Sequence, residues 1–350
     1  MTTRSRVFAR PATFAILLLV VLLATIHSPT AVFASDDEWE SAVSMPIGRG
    51  GAVAVYAGGG KAFIIGGFAN ALGDTNLNLR MKIQSGIAQY EFKAPAPTAR
   101  AEMAAANKSG DIYVAGGRSR GGSIPPYSIK LLDTFEVYHS NSDTWETLPP
   151  MPMPTPRAGL GLVVEGDNVY AIGGRVGGQG ILKSGNVLNV VEIYDIDAGT
   201  WSTGTPMPTP RSDFGIAVMG SSIYVMGGWD GTPNAGDLDT VEKMSTSSGN
   251  WSTIDSMPTA RTALTVVVEG NDIYALGGHT GIVDPSNELD KADVLDTDDD
   301  EWETINPMIG ERAQAVSVKL GGDVYVLGGH FYPDVSGSAA NGTAVEKYDD

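Results

Sequence analysis

The stretch that decides the fold runs from Arg157 to Trp201 and reads RAGLGLVVEGDNVYAIGGRVGGQGILKSGNVLNVVEIYDIDAGTW. An arginine precedes an apolar run, a Gly-Asp-Asn turn and a second apolar run that ends in Gly173-Gly174. A variable loop then leads to Val-Glu-Ile-Tyr194 and, seven residues later, to Trp201. Such a skeleton has to be traced along the whole chain first, because a missed repeat changes the interpretation of the entire fold.

The same skeleton occurs six times. The Gly-Gly pairs begin, at spacings of 50, 57, 54, 50 and 51 residues, at Gly66, Gly116, Gly173, Gly227, Gly277 and Gly328. The template arginines stand 17 residues before the first pair and 16 before the others, at Arg49, Arg100, Arg157, Arg211, Arg261 and Arg312. Five tryptophans precede a template arginine by 10 or, once, 12 residues: Trp39, Trp145, Trp201, Trp251 and Trp302. We interpret these arginines and tryptophans as structural members of the repeat.

Each copy predicts four short strands. The two apolar runs, Ala158–Glu165 and Val169–Ile172 in the quoted copy, flank a tight turn, which is typical of a β-hairpin. The Val-Glu-Ile-Tyr segment predicts a third strand, and the tryptophan segment predicts a fourth that ends at proline. One sheet of about 50 residues cannot bury enough apolar surface alone. The sequence therefore predicts an all-β fold, a six-bladed β-propeller of four-stranded blades.

The two ends of the chain predict how the ring closes. The last copy reaches its third strand at Val345–Tyr348 and has no tryptophan strand after it. Trp39 belongs to a strand that has no copy in front of it. We expect this N-terminal strand to complete the last blade, so that residues 35–350 form one propeller domain. The first copy departs furthest from the pattern, with Tyr90 at the tryptophan position and Ile83 assigned to the tyrosine position.

Residues 1–34 have the layout of a secretory signal peptide. Three arginines precede an apolar run from Ala12 to Ile26, and the small residues Val32 and Ala34 predict cleavage before Ser35. The alternative is an uncleaved membrane anchor, but the run has about 15 residues and a bilayer span needs ~20. Cleavage would remove three arginines and no acid, which leaves 20 basic and 41 acidic residues and a formal charge of −21. We expect a secreted or periplasmic chain without a transmembrane segment in its mature form.

The composition excludes several kinds of site. The 350 residues include no cysteine, so disulfides, thiolate metal sites and cysteine nucleophiles are ruled out. The net charge of −18 argues against nucleic acid or an anionic membrane as a partner. No serine-nucleophile or zinc-protease motif is present, and the glycine-rich loops lack the strand-to-helix context of a phosphate site. We predict no catalytic residue, no cofactor and no metal, and we expect a monomer.

Antiparallel connectivity places the template arginines and the residues after the Gly-Gly pairs on one face. Variable loops on a repeated scaffold usually carry function, and the candidate ligand-binding residues are Arg118, Arg175, Trp229, Asp230, His279 and His330. A face rich in arginine suits a protein or glycan partner that bears a carboxylate. For the template arginines, structural ion pairs are favoured with acids near the start of the third strands: Glu136, Glu192, Glu242, Asp293 and Glu346. Arg118 and Arg175 do not repeat and fall outside that pairing argument.

Two metal-site alternatives are weaker. His279 and His330 occupy matching positions in adjacent copies and could bind a metal with Tyr332 or Asp284, although two separated histidines are more often loop residues. The acidic run Asp296–Glu301 lacks the central glycine and the final glutamate of a calcium-binding loop, so it predicts a solvated turn.

The order Gly173-Gly174, Tyr194 about 20 residues later, and Trp201 seven residues beyond resembles the Kelch repeat. The resemblance covers essentially the whole chain after residue 34 and implies a Kelch-type propeller. It is less specific for function, because Kelch propellers serve as adaptors, carbohydrate-binding proteins and enzymes. The absence of cysteine excludes the tyrosine–cysteine copper site found in galactose oxidase, a Kelch-type enzyme.

We therefore predict an exported, non-enzymatic Kelch propeller that binds a protein or glycan through the face that carries the template arginines. The resemblance also implies an alternative, a carbohydrate-active enzyme similar to the sialic acid mutarotases. Such an enzyme needs an acid/base group and an arginine clamp for the sugar carboxylate. Arg118 or Arg175 could be the clamp, and Asp230 or a histidine the acid/base group. A third reading is a structural part of a larger envelope assembly.

Overall fold

The computed structural model describes residues 38–69, 72–121, 128–152, 156–177, 185–233, 236–281, 287–329 and 341–349. The chain divides into two units, Met1–Ser35 and Asp36–Asp350, and every described residue belongs to the second. That unit is an all-β propeller of six four-stranded blades, as predicted. The expected signal peptide and its cleavage site lie outside the described residues. Within the described ranges, no helix has the length and apolar character needed to cross a bilayer.

The first three blades follow the N-terminal strand β1 (Glu38–Ser41). Blade 1 contains β2 (Val53–Tyr56), β3 (Lys61–Ile65), the short hairpin β4 (Phe68–Ala69) and β5 (Gly73–Asp74), then β6 (Asn78–Gln84) and β7 (Ile87–Lys93). Blade 2 contains β8 (Ala104–Lys108), β9 (Asp111–Ala115), the hairpin β10 (Arg118–Gly121) and β11 (Ser128–Leu131), then β12 (Phe135–His139) and β13 (Thr144–Leu148). Blade 3 contains β14 (Gly161–Glu165), β15 (Asn168–Ile172), the hairpin β16 (Arg175–Val176) and β17 (Asn186–Val187), then β18 (Val191–Asp195) and β19 (Thr200–Thr203).

The other three blades have the same order. Blade 4 contains β20 (Gly215–Met219), β21 (Ser222–Met226), β22 (Val241–Ser245) and β23 (Trp251–Ile254). Blade 5 contains β24 (Thr265–Glu269), β25 (Asp272–Leu276), β26 (Ala292–Asp296) and β27 (Glu301–Thr304). Blade 6 contains β28 (Val316–Leu320), β29 (Asp323–Leu327), the 3-10 turn Asn341–Thr343 and β30 (Val345–Asp349). The first strand of the quoted copy is thus shorter than predicted, because Ala158 forms only an isolated bridge with Arg175.

The core lies between neighbouring blades. Apart from its first residue, every residue of the second strands β3, β9, β15, β21, β25 and β29 is buried. These strands are covered on both faces, which explains their continuous apolar runs. The innermost strands contact one another around the axis, including β28 with β2.

The ring closes through both ends of the described chain, as predicted. Strand β1 pairs antiparallel with β30 and becomes the outer strand of blade 6. Trp39 lies opposite Tyr348 in this pair, with the ring centroids 5.2 Å apart. In the same register, Trp201 lies opposite Tyr194 in blade 3. A strand from the start of the propeller therefore supplies the tryptophan that the last copy lacks.

The tryptophans link five of the six blades to the blade before them. Each indole Nε1 donates to a backbone carbonyl of the preceding blade's outer segment at 2.9–3.1 Å, and the acceptors for Trp39, Trp145, Trp201, Trp251 and Trp302 are Asn306, Ala94, Pro149, Thr205 and Asp255. In blade 1 the register places Tyr90 opposite Met81. The assignment of Ile83 to the tyrosine position was therefore wrong, because β6 and β7 are seven residues long and turn later than their equivalents.

A closed ring of backbone hydrogen bonds surrounds the axis. Its members, the axial ring, stand two residues after each template arginine: Gly51, Glu102, Gly159, Asp213, Ala263 and Gln314. Each N–H donates to the carbonyl of the equivalent residue in the preceding blade at 2.7–3.0 Å, and Gly51 closes the circle on Gln314. All six have φ between +53° and +63°, a conformation that costs a non-glycine residue about 1–2 kcal/mol. The fold holds four side chains at the axis despite this cost.

Candidate functional site

The loop face is the end of the propeller that carries the template arginines and the residues after the Gly-Gly pairs. Five isolated bridges join the residue after a template arginine to the residue after the Gly-Gly pair of the same blade, as between Ala158 and Arg175. The second glycine of each pair donates its N–H to the carbonyl of a template arginine in the next blade, as Gly174 does to Arg211 at 3.0 Å. The expected grouping on one face is therefore present.

Five of the six template arginines form buried ion pairs with the expected acids. Arg157 lies 2.6 Å from Glu192, Arg211 lies 3.1 Å from Glu242, and Arg261 lies 2.5 Å from Asp293. Arg100 pairs with Glu136 and Arg312 with Glu346. These pairs are almost fully buried, so removal of one partner would strand a charge. They hold the start of the first strand against the start of the third.

Blade 1 is the exception. The position of the pairing acid is occupied there by Leu79, which is fully buried. Arg49 donates to the carbonyls of Gly66 and Leu77, both at 3.3 Å, and no carboxylate of the described residues pairs with it. Burial lowers the pKa of Arg49 to about 10. Within the described part of the chain, backbone carbonyls thus take the place of the carboxylate at this template arginine.

Arg118 and Arg175 are also paired, which corrects the inference that they stand outside the pairing. Both are fully buried. Arg118 lies 2.9 Å from Glu102 and 3.0 Å from Asp74, and Arg175 contacts Glu102 and Asp213. The sequence argument failed because these acids do not follow the repeat. Glu102 and Asp213 belong to the axial ring, so the two arginines connect the ring to the hairpins above it.

The two axial carboxyls have opposite pKa shifts. Burial alone would raise the pKa of Glu102, but Arg118 and Arg175 outweigh it and lower that pKa. Burial raises the pKa of Asp213 despite Arg175, and the nearby Glu102 adds to the rise. The difference follows from two arginine partners for Glu102 and one for Asp213. The charged form is therefore favoured more strongly at Glu102 than at Asp213.

The remaining candidates differ in exposure. Trp229 and His279 are buried, and the indole Nε1 of Trp229 donates to the carbonyl of Thr232 at 2.8 Å. Asp230 is half-buried and accepts a hydrogen bond from the Thr232 N–H at 2.8 Å. His330 lies outside the described residues, as do Tyr332 and Asp284 of the metal alternative. Within the described part of the chain, no three His, Asp or Glu side chains are grouped as a metal site would require.

Two apolar side chains on the loop face are more exposed than any candidate that lies within the described residues. Leu72, in the hairpin between β4 and β5, and Ile309, just before Arg312, are each 60% exposed. Sequence reasoning missed both because it looked for chemically reactive residues after the Gly-Gly pairs. It also missed Glu102 and Asp213, although one signal was available. The axial-ring positions read Gly, Glu, Gly, Asp, Ala and Gln, an irregular set inside a regular repeat.

Comparison with known proteins identifies the repeat. A family model for the KLHDC2/KLHL20/DRC7 Kelch-repeats domain matches residues 33–228 and 132–329. Kelch-like protein 7 of Rattus norvegicus is 35% identical over 111 residues, 32% of this chain and 17% of that protein. Kelch repeat and BTB domain-containing protein 12 of Danio rerio is 31% identical over 188 residues, 49% of this chain and 29% of that protein. The chain thus matches less than a third of the length of these relatives.

A solved structure has a similar fold. The structure of YjhT superposes with a TM-score of 0.68 and 14% identity, and the match covers 87% of this chain and 95% of that one. At this identity the likeness concerns the fold alone. The two chains share this fold over most of their lengths.

Proposed function

We propose that this chain, which belongs to the Kelch-repeat family, is an exported, non-enzymatic propeller that binds a protein or glycan partner through its loop face. The observation that carries the proposal is the contrast between frame and loops on that face. The template arginines are buried in equivalent positions, whereas the connections above them vary from 10 residues between Gly67 and Asn78 to 17 between Gly117 and Phe135. A rigid frame with unequal loops is the usual arrangement of a binding surface.

The buried arginines Arg118 and Arg175 are not the residues that we expect the partner to contact. Arg118 and Arg175 are occupied by acids of the same chain, so a ligand carboxylate would have to break existing ion pairs to reach them. Leu72 and Ile309 are accessible. Exposed apolar side chains within a polar rim are frequent anchors of protein interfaces. The proposal therefore favours a protein over an acidic glycan as the partner.

The test compares three aspartate variants of the full chain. Leu72→Asp and Ile309→Asp alter the loop face, while Ile87→Asp alters an apolar residue that is 51% exposed on the outer strand of blade 1. Each variant and the original chain are immobilised, incubated with the extracellular or periplasmic fraction of the source cells, and crosslinked to the proteins that bind. The same four proteins are also tested on a glycan array. We expect a bound species that the first two variants lose at least ten-fold and the third retains. Equal retention by all three would refute the loop face as the site.

The carbohydrate-active alternative rests on Asp213. This carboxyl has a raised pKa, accepts from the Ser212 hydroxyl at 2.9 Å and contacts Arg175. A carboxyl with a raised pKa beside an arginine is suited to acid/base exchange at a sugar. The measurement is the rate of anomer exchange of sialic acid by proton NMR, with and without the protein. Faster exchange that Asp213→Asn abolishes would favour the enzyme; exchange at the spontaneous rate would count against it.

A further inference from the structure

The channel along the propeller axis is wider on one side. Three residues after the axial ring, the innermost strands carry, from blade 1 to blade 6, Ala54, Ala105, Leu162, Ile216, Val266 and Ser317. The small side chains cluster in blades 6, 1 and 2, and the large ones in blades 3 and 4. A cavity of about 530 Å³ lies against the small side chains and is lined by residues of blades 5, 6, 1 and 2. Its size is within the range of small-molecule sites.

On the opposite side of the channel, the innermost strands of blades 3 and 4 are packed closely against their neighbours. A Cβ on Gly215 would lie 2.3 Å from Val266 Cγ2, and one on Gly161 would lie 2.8 Å from Ile216 Cδ1. The inner strands of blades 3 and 4 therefore have no room for another side-chain atom at these two positions. The cavity is a consequence of which residues stand in each blade, since the backbone repeat is the same in all six.

The cavity is blind. It opens at the ends of the innermost strands, on the face opposite the loop face. A second space of about 210 Å³ lies between the innermost strands of all six blades, and its lining includes Ala52 and Met103. Beyond these residues lies the axial ring, in which every N–H is bonded to a carbonyl of the preceding blade. Arg175 covers the ring from the other side, since a Cβ on Gly159 would lie 2.4 Å from its Nη1. A ligand would have to enter from the open end.

The walls are mainly aliphatic. Ala54, Ala105, Val266 and Val268 are partly exposed along the cavity. The wall hydroxyl of Ser317 shares a hydrogen bond of 2.7 Å with the hydroxyl of Thr265, which lines the second space. Apolar cavities of this kind are poor sites for water and accept apolar molecules. The walls thus select for hydrocarbon.

The mouth is polar and already contains one ion pair. Tyr56 is 47% exposed at the rim, and Lys319 on the rim pairs with Glu269. Oε2 of Glu269 is buried and has no hydrogen-bond partner among the described residues. That oxygen is closed to a ligand, but a hydroxyl at the mouth could accept from the Tyr56 phenol or the Lys319 ammonium, whereas a charged head would compete with the ion pair.

We propose that the axial channel binds one unbranched aliphatic chain with an uncharged hydroxyl head. The chain enters tail-first, lies against Ala54, Ala105 and Val266, and leaves its hydroxyl at Tyr56 and Lys319. The axial ring limits the length of tail that fits. This site is separate from the loop face, so its test is independent of the proposed partner binding.

Calorimetric titration of the full chain with 1-hexanol, 1-heptanol and 1-octanol tests the proposal. The dissociation constant should fall about four-fold with each added methylene, since a buried methylene contributes ~0.8 kcal/mol. Octanoate and octyltrimethylammonium have charged heads and should bind at least ten-fold more weakly than 1-octanol. A dissociation constant that does not change with chain length, or tighter binding of either charged probe, would overturn the proposal.

The matched variants fill the cavity with side chains that the repeat already uses. Ala54→Leu with Ala105→Leu introduces the residue found at Leu162 in blade 3 and should weaken 1-octanol binding at least ten-fold. Thr253→Leu adds a leucine to the exposed outer strand β23 and should leave binding unchanged. If the double variant melts at a lower temperature, Ala54→Val alone replaces it, with a loss of several-fold expected. Unchanged binding in a folded cavity variant would contradict the site.

Discussion

Blades 1 and 3 are built on the same repeat but hold their template arginines differently. In blade 3, Arg157 pairs with Glu192 at 2.6 Å. In blade 1, Leu79 occupies the place of the acid, and among the described residues the hydrogen-bond acceptors of Arg49 are backbone carbonyls. Both arginines are nonetheless buried, with no more than 3% of their surface exposed. The arginine itself is therefore the constant element of the frame, and its carboxylate partner is an addition that one blade does without.

Packing around the first glycine of each Gly-Gly pair also uses different residues in blades 1 and 3 for the same contact. A Cβ on Gly173 would lie 2.9 Å from Met207 Cε, so a methionine methyl fills the space beside that glycine. At Gly66 the equivalent methionine position is Ala96, and the nearby methyl belongs to Met103 instead. The contact is preserved although its sequence position is not. The repeat therefore preserves the packing beside the glycine, although the methionine that provides it stands at different sequence positions.

The largest expected difference between the two blades concerns their arginines. Arg157→Met should lower the free energy of unfolding by about 3–5 kcal/mol, because it leaves Glu192 buried and unpaired. Arg49→Met removes bonds to carbonyls but strands no carboxylate, so it should cost less than half as much. Urea denaturation at pH 7 with a common slope measures both changes. Equal losses would mean that the ion pair is not what distinguishes the blades.

The pH dependence of the first variant provides a control. Burial raises the pKa of Glu192, and Arg157 opposes the rise, so Arg157→Met should raise that pKa further. A carboxyl whose folded-state pKa exceeds its unfolded value of about 4.3 destabilises the protein as pH rises through that interval. The loss in Arg157→Met should therefore be smaller at pH 5 than at pH 8. Arg49→Met should show no such trend from this source, and the double variant Arg157→Met with Glu192→Leu should remove it.

The regular parts of this molecule were predictable from sequence, and the irregular parts were not. Periodicity located the blades, the closure by Trp39 and the five acids that pair with template arginines. It could not assign Glu102 or Asp213, because those residues act through Arg175, which lies in a hairpin of variable length. The sequence also did not reveal that Met81 occupies the tyrosine position of blade 1. The β6–β7 hairpin is longer than its equivalents, and this changes the strand register without changing the spacing of the repeat. Contacts between unlike blades depend on side-chain reach, which a repeat template does not contain.

The next difference in size concerns the aromatic residue on the outer strand. Trp201 contacts Phe135 of blade 2 at a centroid distance of 5.0 Å and donates to the Pro149 carbonyl at 3.1 Å. Trp201→Ala should cost about 3 kcal/mol, the lower end of the range for large aromatics, because the side chain is only partly buried. Tyr90, its equivalent in blade 1, keeps a bond from its hydroxyl to the Val43 carbonyl at 2.8 Å. Tyr90→Ala should cost less, and a melting temperature lower than that of Trp201→Ala would contradict the ranking.

The smallest difference concerns the two glycines of the axial ring, Gly51 in blade 1 and Gly159 in blade 3. Both have φ near +60°, so Gly→Ala at either position carries the same backbone cost of about 1–2 kcal/mol. Ala263 occupies the equivalent place in blade 5 at φ +55°, so the ring accepts a methyl group.

Their surroundings separate the two glycines. A methyl on Gly159 would lie 2.4 Å from Arg175 Nη1 and 2.6 Å from Asp213 Oδ1, whereas one on Gly51 would come no closer than 3.3 Å, to Gln314 Oε1. Gly159→Ala must therefore displace Arg175 from Asp213 and should lower the free energy of unfolding by roughly 1 kcal/mol more than Gly51→Ala, the net value of a hydrogen bond. Replacing Asp213 by Asn in both variants should narrow this gap. A gap that persists would place the strain in the backbone of blade 3 rather than in its ion pair.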